Sequence, residues 1–482
     1  MPPEVLLVNP PYQEHIYQSR KDAASIDAPL SIGYLAAVLE QNQINVAILD
    51  ANAHNFDVAM TAEKIAQSSA DIVGITSTTT VMPVVYMLIK SVKELAPGKM
   101  LVVGGPHVTF VPEQTLKESP SLDMVVRGEG EETLVELVNN DGNPKRICGL
   151  TYRNKRRVVN NPPRPQIPDI NTLPFPARHL MPMHLYRSGS VLTDGREGFE
   201  YASMITSRGC PNKCTYCSSS FFWGNKVRFR SAENVVDEME FLEQKYGTKE
   251  VFFKDDVFTF SPIRTEQICD EIVKRGIGIR WSCYARVNTL RPDILRKMKE
   301  AGCYGIDFGI ETGNAKILER IKKNTTLEQA ERAVAATKKA GIMTYCSFMV
   351  GLPGDTTKTV MDTINFAVKL SPDVAQFFVT TPFPGTEVWK EALDKHWIGN
   401  IENWGDFDIT RGVNYRNDDL TGEEMQRLVT IAYKNFYGRP RFIIQTIKRI
   451  IRNPKQFKKC VYGARAVLDL INYGQKVKAT NM

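Results

Sequence analysis

In Gly209-Cys210-Pro211-Asn212-Lys213-Cys214-Thr215-Tyr216-Cys217, three cysteines lie within eight residues, directly after a predicted β-strand. Their spacing is C-x3-C-x2-C. Three thiolates on one tight loop can hold three irons of a 4Fe–4S cube, which leaves the fourth iron open to a small molecule. A structural zinc ion is bound by four protein side chains, and this loop contains no fourth Cys or His. The spacing therefore favours an iron–sulfur centre held by Cys210, Cys214 and Cys217 over zinc or purely structural thiols.

The segments around this loop alternate between β-rich and helical patterns from about residue 200 to 380. The helical segments include Ala232–Tyr246, for which Ser231 is the predicted N-cap. Six such repeats predict a partial (β/α)6 barrel, whose active-site residues lie at the C-terminal ends of the strands. The predicted strands are Ala202–Ser207, Glu250–Asp255, Arg280–Ala285, Gly305–Ile310, Met343–Val350 and Val374–Val379.

Residues 1–140 show the same alternation, with near-continuous apolar strands. Such strands, separated by helices, indicate a parallel sheet that is covered on both faces. This pattern predicts a doubly wound, Rossmann-like domain whose ligands bind at the C-terminal ends of the strands. The predicted strands are Val5–Asn9, Asn45–Asp50, Ile72–Ser77, Met100–Val103 and Met124–Arg127, and the predicted helices are Ser31–Glu40, Val58–Ser68, Val84–Leu95 and Glu131–Val138.

Two further regions complete the predicted organisation. Residues 141–198 contain Asn160-Asn161-Pro162-Pro163-Arg164-Pro165, which cannot continue a helix or a central strand, so we predict a β-appendage and an extended linker. The barrel is assigned to residues 199–385, and residues 386–482 are predicted to be helical with a basic tail.

Composition excludes several classes of protein. The chain has 482 residues, of which 43% are hydrophobic and 24% charged, as in globular proteins. Residues 438–482 carry 11 Lys or Arg and one acid, whereas the rest carries 50 basic and 53 acidic side chains. The positive net charge therefore belongs to the tail and does not indicate nucleic-acid binding. Without a signal peptide or an apolar run of spanning length, we expect a cytoplasmic protein.

The cysteine loop, with an aromatic residue before its last cysteine and a barrel-like pattern around it, resembles the radical S-adenosylmethionine (SAM) superfamily. In that superfamily, the amino and carboxylate groups of SAM chelate the open iron. One electron from the cluster cleaves SAM to methionine and a 5′-deoxyadenosyl radical, which abstracts a hydrogen atom. The resemblance implies a low-potential electron donor of the ferredoxin or flavodoxin type as a partner.

The same resemblance suggests SAM-binding residues at the ends of the later strands. Asp255 ends the second barrel strand, where the superfamily contacts the amino group of SAM. Arg286 follows the third strand and matches a partner for the SAM carboxylate, and Glu311 ends the fourth strand at the position expected to bind ribose hydroxyls. Gly351 and Gly354 follow the fifth strand and resemble the loop that passes the adenine.

A doubly wound domain before such a barrel is similar to the cobalamin-dependent branch of the superfamily. Asn52 stands where some cobalamin proteins have a cobalt-ligating histidine, so the sequence predicts no histidine below the metal. Because the prediction of cobalamin binding depends on similarity of fold alone, a domain that has lost the cofactor is an alternative. The candidate cobalamin contacts are Thr76, Ser77, Thr78, Gly104, Gly105, Gly128 and Glu129.

The resemblance implies an enzyme that functionalises an unactivated carbon of a small molecule, with methyl transfer as the leading reaction. Ring-forming, ring-contracting or oxidative chemistry on tetrapyrroles or hopanoid-like lipids is the alternative, and a cobalamin- or redox-sensing binding protein is a second one. Methylthiotransferases carry extra cysteines in their N-terminal domain, and residues 1–140 contain none.

Two other features carry hypotheses. Cys283 and Cys346 lie on predicted barrel strands, where a role in the cavity competes with that of small buried residues, which we favour. From Phe442 to Arg452 the isoleucines form one helical stripe, and Pro454, Lys455, Lys458 and Lys459 follow. We favour a helix docked on its own barrel; the alternative is peripheral membrane contact that delivers a lipid-like substrate.

Overall fold

This computed structural model describes residues 4–13, 16, 25–155, 157–188, 198–399, 401, 403–407 and 414–452. Its first sheet has the strand order 2-1-3-4-5-6-7, with five parallel strands and then an antiparallel hairpin at one edge. The strands are β1 (Val5–Asn9), β2 (Val46–Asp50), β3 (Ile72–Thr76), β4 (Met100–Gly104), β5 (Met124–Val126), β6 (Leu150–Asn154) and β7 (Arg157–Asn160).

Helices cover both faces of this sheet, so the predicted doubly wound fold is confirmed. Two short helices, Pro106–Phe110 and Pro112–Glu118, were not predicted. Each begins at a proline, which breaks a helix in its interior but is tolerated in the first turn. The helices are α1 (Leu30–Gln41), α2 (Val58–Gln67), α3 (Met82–Leu95), α4 (Pro106–Phe110), α5 (Pro112–Glu118) and α6 (Glu131–Asn139).

The segment after α6 joins the two halves of the molecule. It contributes the hairpin β6–β7, and then a chain of extended residues and single turns that lies against the second half. Arg178 from this linker is buried and donates to the carbonyl of Ser203 at 2.7 Å and to Glu238 at 2.8 Å. The exact boundaries at residues 140, 198 and 385 stay predictions.

The second half is built on a six-stranded parallel sheet with strands in sequential order. Its first and last strands, β8 and β15, lie at opposite edges, which confirms a partial barrel. The strands are β8 (Tyr201–Met204), β11 (Glu250–Phe253), β12 (Arg280–Ala285), β13 (Cys303–Glu311), β14 (Met343–Val350) and β15 (Val374–Val379); β9 (Ser207–Arg208) and β10 (Arg228–Phe229) form a separate antiparallel pair.

The predicted strand Ala202–Ser207 is therefore split into β8 and β9. The cause is Asp255, whose buried carboxylate accepts the backbone N–H of Thr206 at 2.6 Å and the hydroxyls of Thr206 and Ser207. These bonds satisfy the polar groups of a turn that would otherwise be buried without partners.

Helices pack on the outer face of this sheet. Ser231 caps one of them as predicted, because its side chain accepts the N–H of Asn234. The helices are α7 (Ser219–Phe222), α8 (Ala232–Tyr246), α9 (Pro262–Arg275), α10 (Pro292–Glu300), α11 (Ala315–Arg320), α12 (Leu327–Lys339), α13 (Thr357–Leu370), α14 (Glu387–Asp394), α15 (Gly422–Tyr437) and α16 (Pro440–Arg452).

Segments that follow the barrel in the chain pack against both halves of the molecule. The helix α15 packs against β15, where the hydroxyl of Tyr433 accepts the N–H of Phe377. Trp389, Trp404 and Phe407 are buried in the apolar core of the N-terminal sheet, beside α3.

The final helix differs from the expectation that it docks on its own barrel. Phe442 packs on Tyr437, with ring centroids 4.8 Å apart, but Ile443, Ile444, Ile447 and Ile451 are 49–72% exposed. The basic residues Lys455, Lys458 and Lys459, with Pro454, lie outside the described residues. Among the residues that the structure describes, no helix is long and apolar enough to cross a membrane.

Candidate active site

The C-terminal ends of the barrel strands open into a cavity of about 370 Å³, the barrel cavity. Tyr284 on β12 and Arg286, which directly follows this strand, line the cavity, whereas Cys283 lies in the core between the sheet and the outer helices. All three loop cysteines line it together, as the sequence predicts for one site. The remaining charged lining residues are Asp256, Arg286, Asp307, Glu311 and Lys323.

The cysteine loop (residues 209–217) is held by backbone hydrogen bonds. The N–H of Cys217 donates to the carbonyl of Cys214 at 3.1 Å, and Thr215 N–H donates to Ile321 at 3.0 Å. Gly209 has φ 105°, and a Cβ there would clash with the carbonyl of Lys226, so the loop requires glycine at this point. Local hydrogen bonds therefore fix this loop at the mouth of the cavity.

The loop thiols fit a multi-iron group. All three line the barrel cavity, and thiolates are the usual protein ligands of iron–sulfur clusters. Burial raises the pKa of Cys217 to about 12. A buried thiol of this kind ionises when a cation lies beside it, which iron supplies.

Arg286 approaches the buried cysteine of the loop. Its Nη1 lies 3.7 Å from the sulfur of Cys214, and its Nη2 donates to the carbonyl of Lys323. The guanidinium is 7% exposed and lines the barrel cavity. It is therefore placed to stabilise a thiolate, and its contact with the SAM carboxylate stays a prediction.

Glu311 forms a three-membered polar cluster in the cavity wall. Its Oε1 accepts Lys323 Nζ at 2.7 Å and the hydroxyl of Tyr216 at 2.9 Å, and Lys323 also donates to Tyr216 at 2.9 Å. Glu311 has φ 69°, a strained conformation for a non-glycine residue, and strain of this kind is found at functional sites. Lys323 was missed because it lies on a loop after α11, and Tyr216 was noted only as the aromatic residue of the motif.

Asp307 is a further cavity carboxyl that the sequence analysis missed. It lies on β13 four residues before Glu311, on the same face of the strand. Burial, with the negative charge of Glu311, raises the pKa of Asp307 to about 7. The alternation Asp307, Gly309, Glu311 was the signal available in the sequence.

Two predicted SAM-binding sites lie away from this cavity. The carboxylate of Asp255 is used by Thr206 and Ser207, whereas its neighbour Asp256 lines the cavity and accepts the hydroxyl of Ser219. Gly351 (φ 87°) and Gly354 (φ 84°) lie in a turn and do not line the cavity. The contacts of these three residues with SAM stay predictions that the geometry does not favour.

A second cavity of about 370 Å³, the sheet cavity, lies between the N-terminal sheet with α1 and α6 on one side and residues of the second half, among them Arg208 and Cys217, on the other. Its walls are mostly apolar, and small residues widen it: a Cβ on Gly74 would lie 2.8 Å from Leu7 Cδ2. The predicted cobalamin residues Thr76, Gly104, Gly105, Gly128 and Glu129 line it. These small residues and apolar walls suit a planar aromatic group, such as the aromatic tail of a larger ligand.

A third cavity of about 720 Å³, the edge cavity, lies at the C-terminal ends of β1 and β3 and reaches β15. Thr76, Ser77 and Thr78 line it. The proton of the Ser77 hydroxyl is already used, because it is donated to the carbonyl of Gly104 at 3.0 Å. His107 lines it as well, and burial lowers the pKa of His107 to about 3, which keeps its imidazole neutral.

The position of the missing cobalt-ligating histidine is buried and occupied. Asn52 is 2% exposed, and its Oδ1 accepts the N–H of Gln13 at 3.1 Å. His54 is exposed and stacks on Phe56 with ring centroids 5.0 Å apart. Neither residue lines the sheet cavity or the edge cavity.

Cys283 and Cys346 face the outer helices. Both are fully buried members of the apolar core between the sheet and its helices. Neither lines the barrel cavity. This position supports our interpretation of them as small core residues.

Comparison with known proteins agrees with this architecture. Residues 22–138 match the model of the B12 binding domain, and residues 204–367 match that of the radical SAM superfamily. The chain therefore belongs to the radical SAM superfamily, in the branch with an N-terminal B12-binding domain. It is an enzyme of the radical SAM class, and its two domains define its cofactors: a 4Fe–4S cluster with SAM, and cobalamin.

Individual relatives cover most of the chain. An uncharacterised methyltransferase of Pyrococcus horikoshii is 38% identical over 92% of this chain and 94% of its own length. An anaerobic magnesium-protoporphyrin IX monomethyl ester cyclase of Rubrivivax gelatinosus is 30% identical over 83% of this chain and 72% of its own. The radical SAM methyltransferase TsrM from Kitasatospora setae, solved with cobalamin and a [4Fe–4S] cluster, has a TM-score of 0.67 at 23% identity, covering 82% of this chain and 75% of its own.

Proposed function

We propose that this protein is a cobalamin-dependent radical SAM methyltransferase acting on a small molecule. The observation that carries the proposal is that the barrel cavity and the sheet cavity share the wall formed by Cys217, Ser219 and Asp256. A group bound between the sheet and its helices therefore borders the loop that holds the cluster. This arrangement suits a methyl carrier that must lie close to the site where SAM is cleaved.

When bound, the cluster supplies the electron that cleaves SAM, and cobalamin carries the methyl group. The chain contributes the surroundings: the three loop thiolates hold iron, and Arg286 adds positive charge beside Cys214. Lys323 and Tyr216 hold Glu311 in one orientation for the ribose hydroxyls of SAM. An external electron donor of low potential is required, because the cluster must reduce a poor acceptor.

Ring formation is a second candidate reaction. It is supported by the cyclase relative, which is 30% identical over 83% of this chain. Hydrogen abstraction from the substrate is common to both reactions, and the site residues named above serve either one. The difference lies in whether the methyl group of SAM reaches the product.

Product analysis tests the proposal. The full chain is reconstituted anaerobically with iron, sulfide and cobalamin and incubated with SAM and candidate small molecules. Formation of S-adenosylhomocysteine together with 5′-deoxyadenosine supports methyl transfer. Formation of 5′-deoxyadenosine alone with a converted substrate contradicts methyl transfer and supports the ring-forming candidate.

We predict that Asp256, rather than Asp255, binds the amino group of SAM. Asp256→Asn is expected to weaken SAM binding about 10–150-fold, since a hydrogen bond to a charged group contributes about 1.5–3 kcal/mol. Asp255→Asn is expected instead to lower the midpoint of thermal unfolding, because it disturbs the buried turn at Thr206. Equilibrium dialysis with SAM and thermal unfolding measure the two effects; the reverse pattern would contradict the assignment.

Cobalamin is expected to bind about one to one without a protein imidazole on cobalt. The reason is that Asn52 is buried where a ligating histidine would stand, and His54 is outside both N-terminal cavities. Electron paramagnetic resonance of the Co(II) form checks this. Nitrogen superhyperfine splitting from a protein imidazole would contradict it, and His107→Ala would then identify the source.

We further propose peripheral contact of α16 with anionic membranes. Its residues Ile443, Ile444, Ile447 and Ile451 are exposed, and the tail that contains it is strongly basic, which suits an anionic surface. The double variant Ile447→Ser, Ile451→Ser is expected to pellet less with anionic vesicles than the unaltered protein, and neither should pellet with neutral ones. Ile263→Ser, at a 70% exposed position on α9, is the matched control. Equal pelleting of the full chain and of a chain truncated after Gly438 would exclude a membrane role for the tail.

A further inference from the structure

Two carboxylates of the N-terminal domain hold an arginine that lies two residues before the first loop cysteine. Arg208 Nη1 donates to Glu129 Oε1, and Arg208 Nη2 donates to Glu131 Oε1, both at 2.7 Å. All three side chains are at most 7% exposed. Because the guanidinium is planar and its donors are fixed, two such contacts set its orientation as well as its position.

A second arginine joins the same carboxylate to β10, the strand that follows the cysteine loop and α7 in the chain. Arg228 Nη1 donates to the two oxygens of Glu129 at 2.9 and 2.8 Å. Arg208 lies on β9 and Arg228 directly opposite it on β10, and the cysteine loop lies between these strands in the chain. Glu129 therefore binds both strands that flank residues 209–227, the segment that contains the cysteine loop.

This ion-pair network also borders the sheet cavity. Arg208 lines that cavity, and its Cζ lies 5.4 Å from the ring centroid of Tyr34 and 5.1 Å from that of Trp223, both lining residues. Residues 128–131 line the cavity as well, and so does Cys217. A ligand in the sheet cavity therefore touches the loop that carries Glu129 and Glu131, the arginine that they hold, and one cluster ligand.

Glu129 was predicted to contact cobalamin, but its carboxylate is fully used by Arg208, Arg228 and the N–H of Ile167. We propose that Arg208 is a positioning residue: through Glu129 and Glu131 it couples occupancy of the sheet cavity by cobalamin to the conformation of the cysteine loop. This inference rests on the cobalamin binding of the proposed function. Coupling between two sites is reciprocal, so a ligand that orders one side stabilises the other.

The rate of iron release measures this coupling without turnover. The reconstituted full chain is exposed to a ferrous chelator with and without hydroxocobalamin, in the absence of SAM and substrate. Iron leaves when the cysteine loop opens, so a coupling that lowers the population of the open loop by about 5–150-fold, the usual range for coupled sites, is expected to slow iron release by the same factor. In Arg208→Gln this ratio is expected to fall close to one, and in Glu131→Gln, which keeps the pair of Arg208 with Glu129, it is expected to fall to an intermediate value, although both variants bind iron. Arg208→Lys should give an intermediate ratio, because its ammonium cannot bond both carboxylates in the same way.

A matched control removes another buried carboxylate. Glu238 is fully buried and binds Arg178 and Arg230, outside the lining of the sheet cavity, so Glu238→Gln should keep the ratio of the unaltered protein. Glu131→Gln keeps the pairs of Glu129 with both arginines and is the variant to use if Arg208→Gln does not fold.

The possible results separate the coupling from the cobalamin-dependent function. If hydroxocobalamin binds but does not slow iron release, or slows it equally in the Arg208 and Glu131 variants, the coupling is wrong and the proposed function stands. If hydroxocobalamin does not bind the unaltered protein, both the coupling and the cobalamin-dependent function are overturned.

Discussion

Cys214→Ala is expected to yield a protein without its 4Fe–4S cluster and with SAM cleavage at the level of the buffer control. Each loop thiolate is predicted to hold one iron, and Cys214 is the most buried of the three, beside the guanidinium of Arg286. A remaining pair of thiols cannot hold the cube in a solvent-accessible loop. Iron and sulfide analysis, the visible spectrum and 5′-deoxyadenosine formation measure the loss, and the same outcome is expected for Cys210→Ala and Cys217→Ala.

The matched control is Cys346→Ala, at a buried cysteine of the outer core. It should keep the full iron content, with destabilisation of about 1 kcal/mol from the lost sulfur. Full SAM cleavage by Cys214→Ala, or equal iron loss in Cys346→Ala, would falsify the assignment of the loop.

Gly104→Leu is expected to weaken cobalamin binding by at least about a hundredfold, which corresponds to roughly 2.7 kcal/mol. Gly104 ends β4 and lines the sheet cavity, and the nearest atom to a Cβ there is Val126 Cβ at 3.8 Å. The backbone therefore accepts a side chain, and a leucine fills space that the ligand needs. Spectrophotometric titration with hydroxocobalamin measures the affinity.

Gly98→Leu is the control for this variant, because Gly98 has open space around its Cβ position and lies outside the cavity. It should bind cobalamin as the unaltered protein does. Both variants should keep the cluster, which shows that the barrel is folded. Unchanged affinity in Gly104→Leu would mean that cobalamin does not use the sheet cavity.

Local patterns predicted the parts of the fold that depend on short stretches of chain. The strands Val5–Asn9, Arg280–Ala285, Met343–Val350 and Val374–Val379 have the predicted bounds, because apolar runs between helices mark buried parallel strands. The cysteine loop was also predicted, since its spacing is itself the signal. Each of these features depends on residues that are close in the sequence.

The missed features depend on contacts between distant segments. Lys323 reaches Glu311 and Tyr216 from a loop that carries no motif, and Glu129 meets Arg208 across two domains. Asp255 and Asp256 are adjacent, and only the fold decides which carboxylate turns towards Thr206 and which enters the cavity. A single sequence contains no signal for such choices, because they follow from how the elements pack.

The aromatic residues Trp389, Trp404 and Phe407 have a consequence for the order in which the chain folds. They complete the apolar core of the N-terminal sheet, although the entire barrel separates them from that sheet along the chain. During synthesis, the first domain therefore leaves the ribosome with part of its core uncovered beside α3. Exposed apolar surface of this kind is where chaperones bind and where aggregation begins. The first domain to be synthesised is thus expected to be among the last to have its apolar core fully buried.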